Sequence, residues 1–179
     1  YRGHYCRPKT SAGKGKFAMI RTAVESDIPY IMDIYNDAVL NTTATFDINP
    51  RQISFFEDMF RQHTGKYLLA VFEDKGEILG YVSLSRYSWR DAYDCTVELS
   101  VYVKNGYRNM HIGTKLMDYA LDTAKNNPNI LTVVSLITSE NETSIYLHIK
   151  AGFTYSGTIK NAGIKFDRKL SVDIYVMNF

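Results

Sequence analysis

The sequence has little that could staple it together. Of its 179 residues only Cys6 and Cys95 are cysteines, and no CxxC pair occurs. That excludes a disulfide framework and the usual structural-zinc spacing, and it fits a reducing, cytoplasmic setting. No metal is implied. Long apolar runs are missing as well. The longest, such as Ile130 to Ile137, are strand length and fall far short of the roughly 20 residues that cross a bilayer, so no membrane association is expected. Acid is missing from one stretch. Residues 1–18 hold Arg2, Arg7, Lys9, Lys14 and Lys16 and no Asp or Glu, for +5, while the remaining 161 residues carry 16 Lys+Arg against 19 Asp+Glu, or −3. A mildly acidic body argues against a broad nucleic-acid surface.

The length fits one domain, which at this size buries roughly 70% of its unfolded surface without a metal or disulfide. Residues 1–18 have no periodicity and no apolar run of signal-peptide length. Met19 falls just before the first patterned segment. The expectation is therefore a flexible leader or appended tail over 1–18 and a single domain over 19–179. A functional basic arm is the alternative.

From Met19 onward, helical and strand patterns alternate. Met19–Ala23 reads as a short strand, and Ser26 is placed to cap a helix with Ile28, Ile31, Met32, Tyr35 and Val39 at helical spacing. Asn41–Pro50 is a polar connection carrying one exposed-looking aromatic, Phe46. Ile53, Phe56, Met59 and Phe60 mark a second amphipathic helix. Tyr67–Phe72, the Asp74-Lys75-Gly76 turn and Glu77–Ser85 read as a β-hairpin. An aromatic loop, Arg86–Asp94, leads into a strand over Cys95–Val103. Gly113–Lys125 is helical, and Ile130–Thr138 is an apolar strand of the kind buried on both faces. Asn141–Ala151 is a helix ended by Gly152. Strands at Phe153–Ile164 and Lys169–Asn178 follow. There is no internal repeat. The order β-αα-βββ-α-β-α-ββ predicts an α/β domain, a mixed and mostly antiparallel sheet flanked by helices.

The most informative segment runs from Val101 to Thr114, where a strand enters a turn and a helix opens near Gly113. Free backbone N–H groups and the positive end of the helix dipole suit such a place to phosphates. Arg108 adds charge and Thr114 a hydroxyl donor. The plainer reading is an ordinary loop with Gly113 chosen for its backbone freedom. Arg108-x-x-His111-x-Gly113 resembles the Arg/Gln-x-x-Gly-x-Gly/Ala pyrophosphate motif of the GNAT superfamily of acetyl-CoA-dependent N-acetyltransferases, with His111 where the first glycine is expected. Asn36–Phe46, Ala92–Val103, Asn141–Ser144, Leu147–Phe153 and Ala162–Phe166 are similar to the phosphinothricin N-acetyltransferase family. That branch includes enzymes acting on methionine sulfone and methionine sulfoximine. The resemblance covers about residues 20–179 and implies the GNAT (acyl-CoA N-acyltransferase) fold.

The chemistry can be asked of named residues. An α-amine, pKa roughly 8, is mostly protonated at pH 7, so its attack on a thioester needs a base and donors at the carbonyl oxygen. Glu98 sits mid-strand among Thr96, Val97, Leu99 and Val101, where a carboxylate is costly unless paired or used. From pattern alone it is as readily a solvent-facing strand residue or a salt-bridge partner as a base. The resemblance makes it the general base and His148 a second proton-transfer group, one that protonates the leaving thiolate. It also implies that Val101, Tyr102 and Val103 pair with the pantetheine arm of acetyl-CoA. Arg108, Asn109, Met110, His111, Ile112, Gly113 and Thr114 would hold the pyrophosphate. Asn141 and Ser144 would add polar contacts, although helix capping explains them equally. For the acceptor it implies Phe46, Arg90, Tyr93 and Tyr102, with Arg90 pairing a substrate carboxylate through two hydrogen bonds. Ser88 stands where a second cation is often found in the family, which favours a neutral sulfone or sulfoximine over a phosphinate, though Arg86 is near enough to compensate.

The expected function is transfer of acetyl from acetyl-CoA to the α-amine of a small amino-acid-like compound, by a protein that is commonly a homodimer in its family. Acetylation of another amine, such as a protein N-terminus or a polyamine, is the rival activity, and the loop Tyr87–Tyr93 is expected to narrow the groove a peptide needs. A non-catalytic acyl-CoA-binding module is the rival outside enzymes. It would need the Arg108–Thr114 loop and not Glu98.

Overall fold

The computed structural model describes residues 18–179, so the reading of residues 1–18 as a tail falls, but for Ala18, outside the described residues. The elements follow the expected order: β1 (Met19–Thr22), α1 (Ile28–Asn41), α2 (Ile53–Gln62), β2 (Leu68–Asp74), β3 (Glu77–Arg86), β4 (Thr96–Val103), α3 (Ile112–Lys125), β5 (Thr132–Thr138), α4 (Glu142–Ala151), β6 (Thr154–Lys165) and β7 (Arg168–Asn178). The strands form one sheet in the order β1-β2-β3-β4-β5-β7-β6. β4 and β5 are parallel; every other neighbouring pair is antiparallel.

Strand alternation feeds two cores. Leu68, Ala70 and Phe72 of β2 join α3 on one face, with Leu116, Met117 and Ala120. Leu69 and Val71 turn to the other face and meet Ile31 and Ile34 of α1 and Phe56 of α2. β2 is thus covered on both sides, which explains why it reads as an unbroken apolar run. Gly80 lets α3 lie so close: a Cβ there would come within 2.8 Å of the Tyr102 carbonyl and 3.0 Å of Leu116 Cδ1. The β2–β3 turn places Lys75 at φ 51° and Gly76 at φ 87°, the left-handed pair that a tight hairpin needs.

Two local expectations are corrected. Ser26 does not cap α1. It lies within a single 3-10 turn (Glu25–Asp27), and the Asp27 carboxylate takes the Val24 N–H at 2.8 Å. Asp27 is committed there because Arg21 grips it with both terminal nitrogens, at 2.6 and 2.9 Å, while its Nε reaches Glu73 at 2.8 Å. Nor is β5 buried on both faces throughout, since Leu136 is 43% exposed where the sheet opens into a cleft.

Candidate active site

The opening follows from strand pairing. β4 and β5 run together only through Thr96, Val97 and Glu98, opposite Thr132, Val133 and Val134. Beyond Glu98, β4 keeps its partner β3 up to Val103, while β5 leaves with β7. A wedge of about 50 Å³ forms between them, lined by Leu99–Tyr102, Ser135–Thr138, Asn141, Ser144 and His148. At its apex the buried Ser135 hydroxyl donates to the Leu99 carbonyl at 3.3 Å. Past that point the edge of β4 that faces β5 has no backbone partner among the described residues.

On the α1–α2 face the wedge meets a cavity of about 380 Å³. Its floor is a ladder of cross-strand pairs: Ser85 opposite Glu98, Ser83 opposite Ser100, and Tyr81 opposite Tyr102. The tyrosines stack at 5.3 Å between ring centroids, and Tyr35 meets Tyr102 edge-on at 5.3 Å. Phe46, Phe55, Phe56 and Met59 supply the apolar wall. Phe46 is half-buried, not exposed. Its ring lies where Gly163 has no side chain, 2.8 Å from where a Cβ would be. The loop that carries it is tied down by Lys165, a buried cation whose Nζ donates to the Thr45 carbonyl at 2.8 Å. Thr138 adds a second tie through its hydroxyl to the Thr43 carbonyl. Tyr35 donates to Asp47 at 2.7 Å, so the Thr45 hydroxyl must donate to Tyr35 across 2.9 Å. Burial pushes the Tyr35 phenol up to about 12.

Glu98 lines this cavity, and no hydrogen bond or ion pair engages its carboxylate among the described residues. Burial alone raises its pKa above the ordinary carboxylate value. The salt-bridge reading is thereby removed, and a carboxylate whose proton affinity has been raised faces open space.

His148 sits on the other wall, in the wedge, and is 2% exposed. Its Nδ1 lies 2.7 Å from the Ser144 carbonyl. A carbonyl only accepts, so Nδ1 carries the hydrogen. Burial holds the ring's pKa below its ordinary value, which leaves Nε2 a bare acceptor at neutral pH. Nε2 is also the one buried side-chain polar atom without a partner among the described residues.

The loop from β4 to α3 has the backbone geometry that an anion site needs. Among the described residues no acceptor engages the backbone N–H groups from Arg108 to Thr114; the first α3 bond runs from Lys115 N to His111 O. Those donors and the helix dipole point out of the same end. Arg108, Asn109, Met110 and His111 are exposed, Ile112 is buried, and Gly113 and Thr114 are half-buried. His111 has φ 58° and Asn109 φ 63°, the left-handed region that favours glycine, which accounts for glycine at the His111 position in the motif. Gly113 is not there for conformational freedom. It lies inside α3, and a Cβ on it would meet Leu147 at an ordinary 3.4 Å. Asn141 caps α4, accepting the Ser144 N–H at 3.2 Å, while both residues also line the wedge.

Not every expected residue reaches the cavity. Arg90 is exposed at the start of a single 3-10 turn, Asp91–Tyr93. Tyr93 packs edge-on against Tyr87 at 5.4 Å and is 42% exposed. Neither lines the cavity of the single chain. None of the residues from Tyr87 to Tyr93 is among the lining of that cavity, where the loop was expected to narrow a groove. Arg86 stacks on Trp89 at 4.8 Å and donates to the Ser88 carbonyl at 2.9 Å. Conversely, Tyr35, Phe55, Tyr81, Ser83, Ser85, Ser100 and Leu136 line the cavity without having been singled out. A signal existed for two of them: Ser83 and Ser85 break an otherwise buried strand at alternate positions. No group of three or more His, Cys, Asp or Glu stands ready for a metal among the described residues, and no helix there is long and apolar enough to cross a membrane.

A sheet split between parallel central strands, with exposed backbone N–H groups at its open end and, among the described residues, an unpaired carboxylate at its closed end, is suited to a transferase that holds an anionic donor. The particular family follows from comparison: the description "Acetyltransferase (GNAT) domain" matches residues 20–171, and the chain belongs to the GNAT acetyltransferases. It is 35% identical over 163 residues to an L-methionine sulfoximine/L-methionine sulfone acetyltransferase of Pseudomonas aeruginosa, covering 90% of this chain and 94% of the relative. A phosphinothricin N-acetyltransferase of Streptomyces coelicolor is 34% identical over 160 residues, 87% of this chain and 93% of that one. Among solved structures, a GNAT superfamily phosphinothricin acetyltransferase from Sinorhizobium meliloti in complex with acetyl-CoA superposes with a TM-score of 0.85 at 28% identity. The match covers 92% of this chain and 89% of that one.

Proposed function

We propose that this protein transfers acetyl from acetyl-CoA to the α-amine of a small, neutral-tailed amino acid of the methionine sulfone or sulfoximine type, in the cytoplasm and as a homodimer. The observation that carries it is Glu98: a carboxylate without a partner among the described residues, its pKa raised by burial, on the wall of a 380 Å³ cavity that meets the wedge. A binding module has no need of such a group.

The residues present fit acetyl-CoA. The free edge of β4 at Val101–Val103 matches the amides of a pantetheine arm, and the unpartnered N–H groups of Arg108–Thr114 match a pyrophosphate. The bound thioester supplies an activated acetyl group. An acceptor that arrives as an ammonium ion must lose two protons, one before it attacks and one afterwards, while the departing sulfur needs one. Glu98 takes the first and passes it to solvent. His148, with Nδ1 held by Ser144, offers Nε2 to receive the second and hand it to sulfur. Its resting form accepts before it donates, so it serves as a relay and not as a standing acid.

Tyr102, Phe46 and the rest of the aromatic wall suit an uncharged side chain. Among the described residues the cavity lining contains no Arg or Lys, which favours sulfone or sulfoximine over phosphinate. Arg90 and Tyr93 stand exposed and apart from the cavity of their own chain, and a homodimer gives them a place if two molecules share the pocket. The experiment is free-thiol release from acetyl-CoA with methionine sulfone, methionine sulfoximine, phosphinothricin and spermidine. Turnover with the first two and none with spermidine is the expected result. Binding of acetyl-CoA with no turnover on any amine would leave only the binding module.

A further inference from the structure

Ser85 faces Glu98 across the β3–β4 pair, and both line the cavity. Directly opposed residues place their Cβ atoms roughly 5 Å apart, so the hydroxyl and the carboxylate share one patch of wall. The Ser85 hydroxyl is not free to rotate. Its oxygen lies 2.9 Å from Nε2 of His63, the residue that ends α2. His63 Nδ1 lies 2.6 Å from the Met59 carbonyl, one turn back in that helix. The carbonyl can only accept, so Nδ1 carries the ring hydrogen and Nε2 of the neutral ring is an acceptor. Ser85 must then donate to His63, and what its oxygen presents to the cavity is acceptor capacity alone.

We infer that His63 is a positioning residue that turns Ser85 into a fixed hydrogen-bond acceptor for the substrate amine, beside Glu98. This rests on the acetyltransfer reading above. An amine arriving as –NH₃⁺ brings three donors and no acceptor, and a wall that pairs a carboxylate with an acceptor-only hydroxyl is matched to it. A hydroxyl free to point its own hydrogen into the cavity would meet the ammonium with the wrong sign. The device is conditional on a neutral imidazole. Once His63 is protonated, Nε2–H donates to Ser85, and the serine hydrogen is displaced toward Glu98 and competes with the amine.

Burial keeps His63 below its ordinary pKa, against the opposing pull of the Met59 carbonyl. The charged groups of the neighbouring elements include Glu98 on β4, Arg86 at the end of β3, Lys66 after the helix, and Glu57 with the Asp58–Arg61 pair on α2 itself. Arg86 is committed to Trp89 and the Ser88 carbonyl, Lys66 to Asp94, and Arg61 to Asp58. None of them figures among the influences on His63.

The test uses the full chain with methionine sulfone as the amine and three variants: Ser85→Ala, His63→Leu and His63→Gln. Ser85→Ala and His63→Leu are expected to raise KM for the amine about tenfold or more, the scale of a lost hydrogen bond to a charged group. KM for acetyl-CoA should stay within twofold. His63→Gln restores a neutral acceptor at Ser85 and should recover most of the amine KM. The acid limb of its kcat/KM profile should also lack one ionisation that the parent shows. An amine KM unchanged in Ser85→Ala overturns the proposal, as does a His63→Gln profile identical to the parent's. A parent enzyme that acetylates none of the amines would instead overturn the functional reading beneath it, so the two failures are told apart by the parent alone.

Discussion

Glu98 and Val134 form the last rung that β4 and β5 share, and one residue further on Ser135 reaches back to bond the Leu99 carbonyl at 3.3 Å. The split of the sheet is thus closed at its apex by a side chain where backbone pairing stops. Ser135 is 1% exposed, so Ser135→Ala leaves a buried carbonyl without a donor. The expected cost is about 1–2 kcal/mol, read as a lower midpoint in urea with an unchanged m-value. Stability equal to the parent's would mean that the apex needs no such pin.

The position of Glu98 predicts a trade of stability for activity. Its folded pKa is raised above the unfolded one by burial, so the folded state holds the proton more tightly. Stability therefore falls as pH rises from the ordinary carboxylate pKa through the raised one, and stays lower above it. Glu98→Gln should melt higher than the parent at pH 8 and show no advantage at pH 4. Its kcat/KM should drop on the order of 100-fold or more, the usual scale for a lost general base, with acetyl-CoA affinity retained. Unchanged activity across pH would remove Glu98 from the base role.

His148 makes the opposite linkage. Burial lowers its folded pKa below the unfolded value, so the unfolded chain takes up the proton first. Stability is full above the ordinary histidine pKa of about 6.5 and is lost as pH falls from there toward the lowered value. The parent should lose melting temperature between pH 7 and pH 5, and His148→Gln should flatten part of that decline. A parallel decline in both proteins would assign the acid sensitivity elsewhere, with His63 the first place to look.

His111 occupies a left-handed conformation at the end of the β4–α3 loop, with φ 58° and no capping bond from its side chain. A residue with a Cβ costs roughly 1–2 kcal/mol there, and glycine returns part of that gain as extra freedom in the unfolded chain. His111→Gly should stabilise the fold by up to about 1 kcal/mol and leave acetyl-CoA binding equal or tighter. Weaker binding, measured by titration calorimetry, would show that the imidazole itself contacts the donor.

Much of this was legible in the sequence, because it depends on neighbours along the chain. The Asp74-Lys75-Gly76 turn, the Asn141 cap and the Gly152 stop are local chemistry, and helix spacing places α1 to α4. The carboxylate at Glu98 was visible as a charge in an apolar strand, but not its freedom from partners, which requires knowing all that packs around it. The placing of β7 beside β5 and the parting of β4 from β5 are set by pairings between residues 34 to 46 positions apart. No local pattern reports where such pairing ends. The same holds for His63 and Ser85, 22 residues apart and joined only when α2 lies down on the sheet. Arg90 and Tyr93 rest on family likeness alone, and neither lines the cavity in the single chain.

Gly163 shows how a residue with no chemistry can shape a site. A Cβ built on it would stand 2.8 and 2.9 Å from two atoms of the Phe46 ring, closer than carbon atoms tolerate. The ring must therefore move in Gly163→Ala. Its loop cannot simply lift away, because Lys165 holds the Thr45 carbonyl and Thr138 the Thr43 carbonyl. The ring is instead forced toward the 380 Å³ cavity that it walls. Phe46 lines the cavity and not the wedge, so the amine should suffer and the donor should not. KM for methionine sulfone is expected to rise several-fold with KM for acetyl-CoA unchanged, and Phe46→Ala in the same chain should relieve the clash and bring the amine KM of the double variant down to that of Phe46→Ala alone. Equal increases in both KM values would mean that the substitution disturbs the wedge as well, and that Phe46 is not a wall of the acceptor site alone.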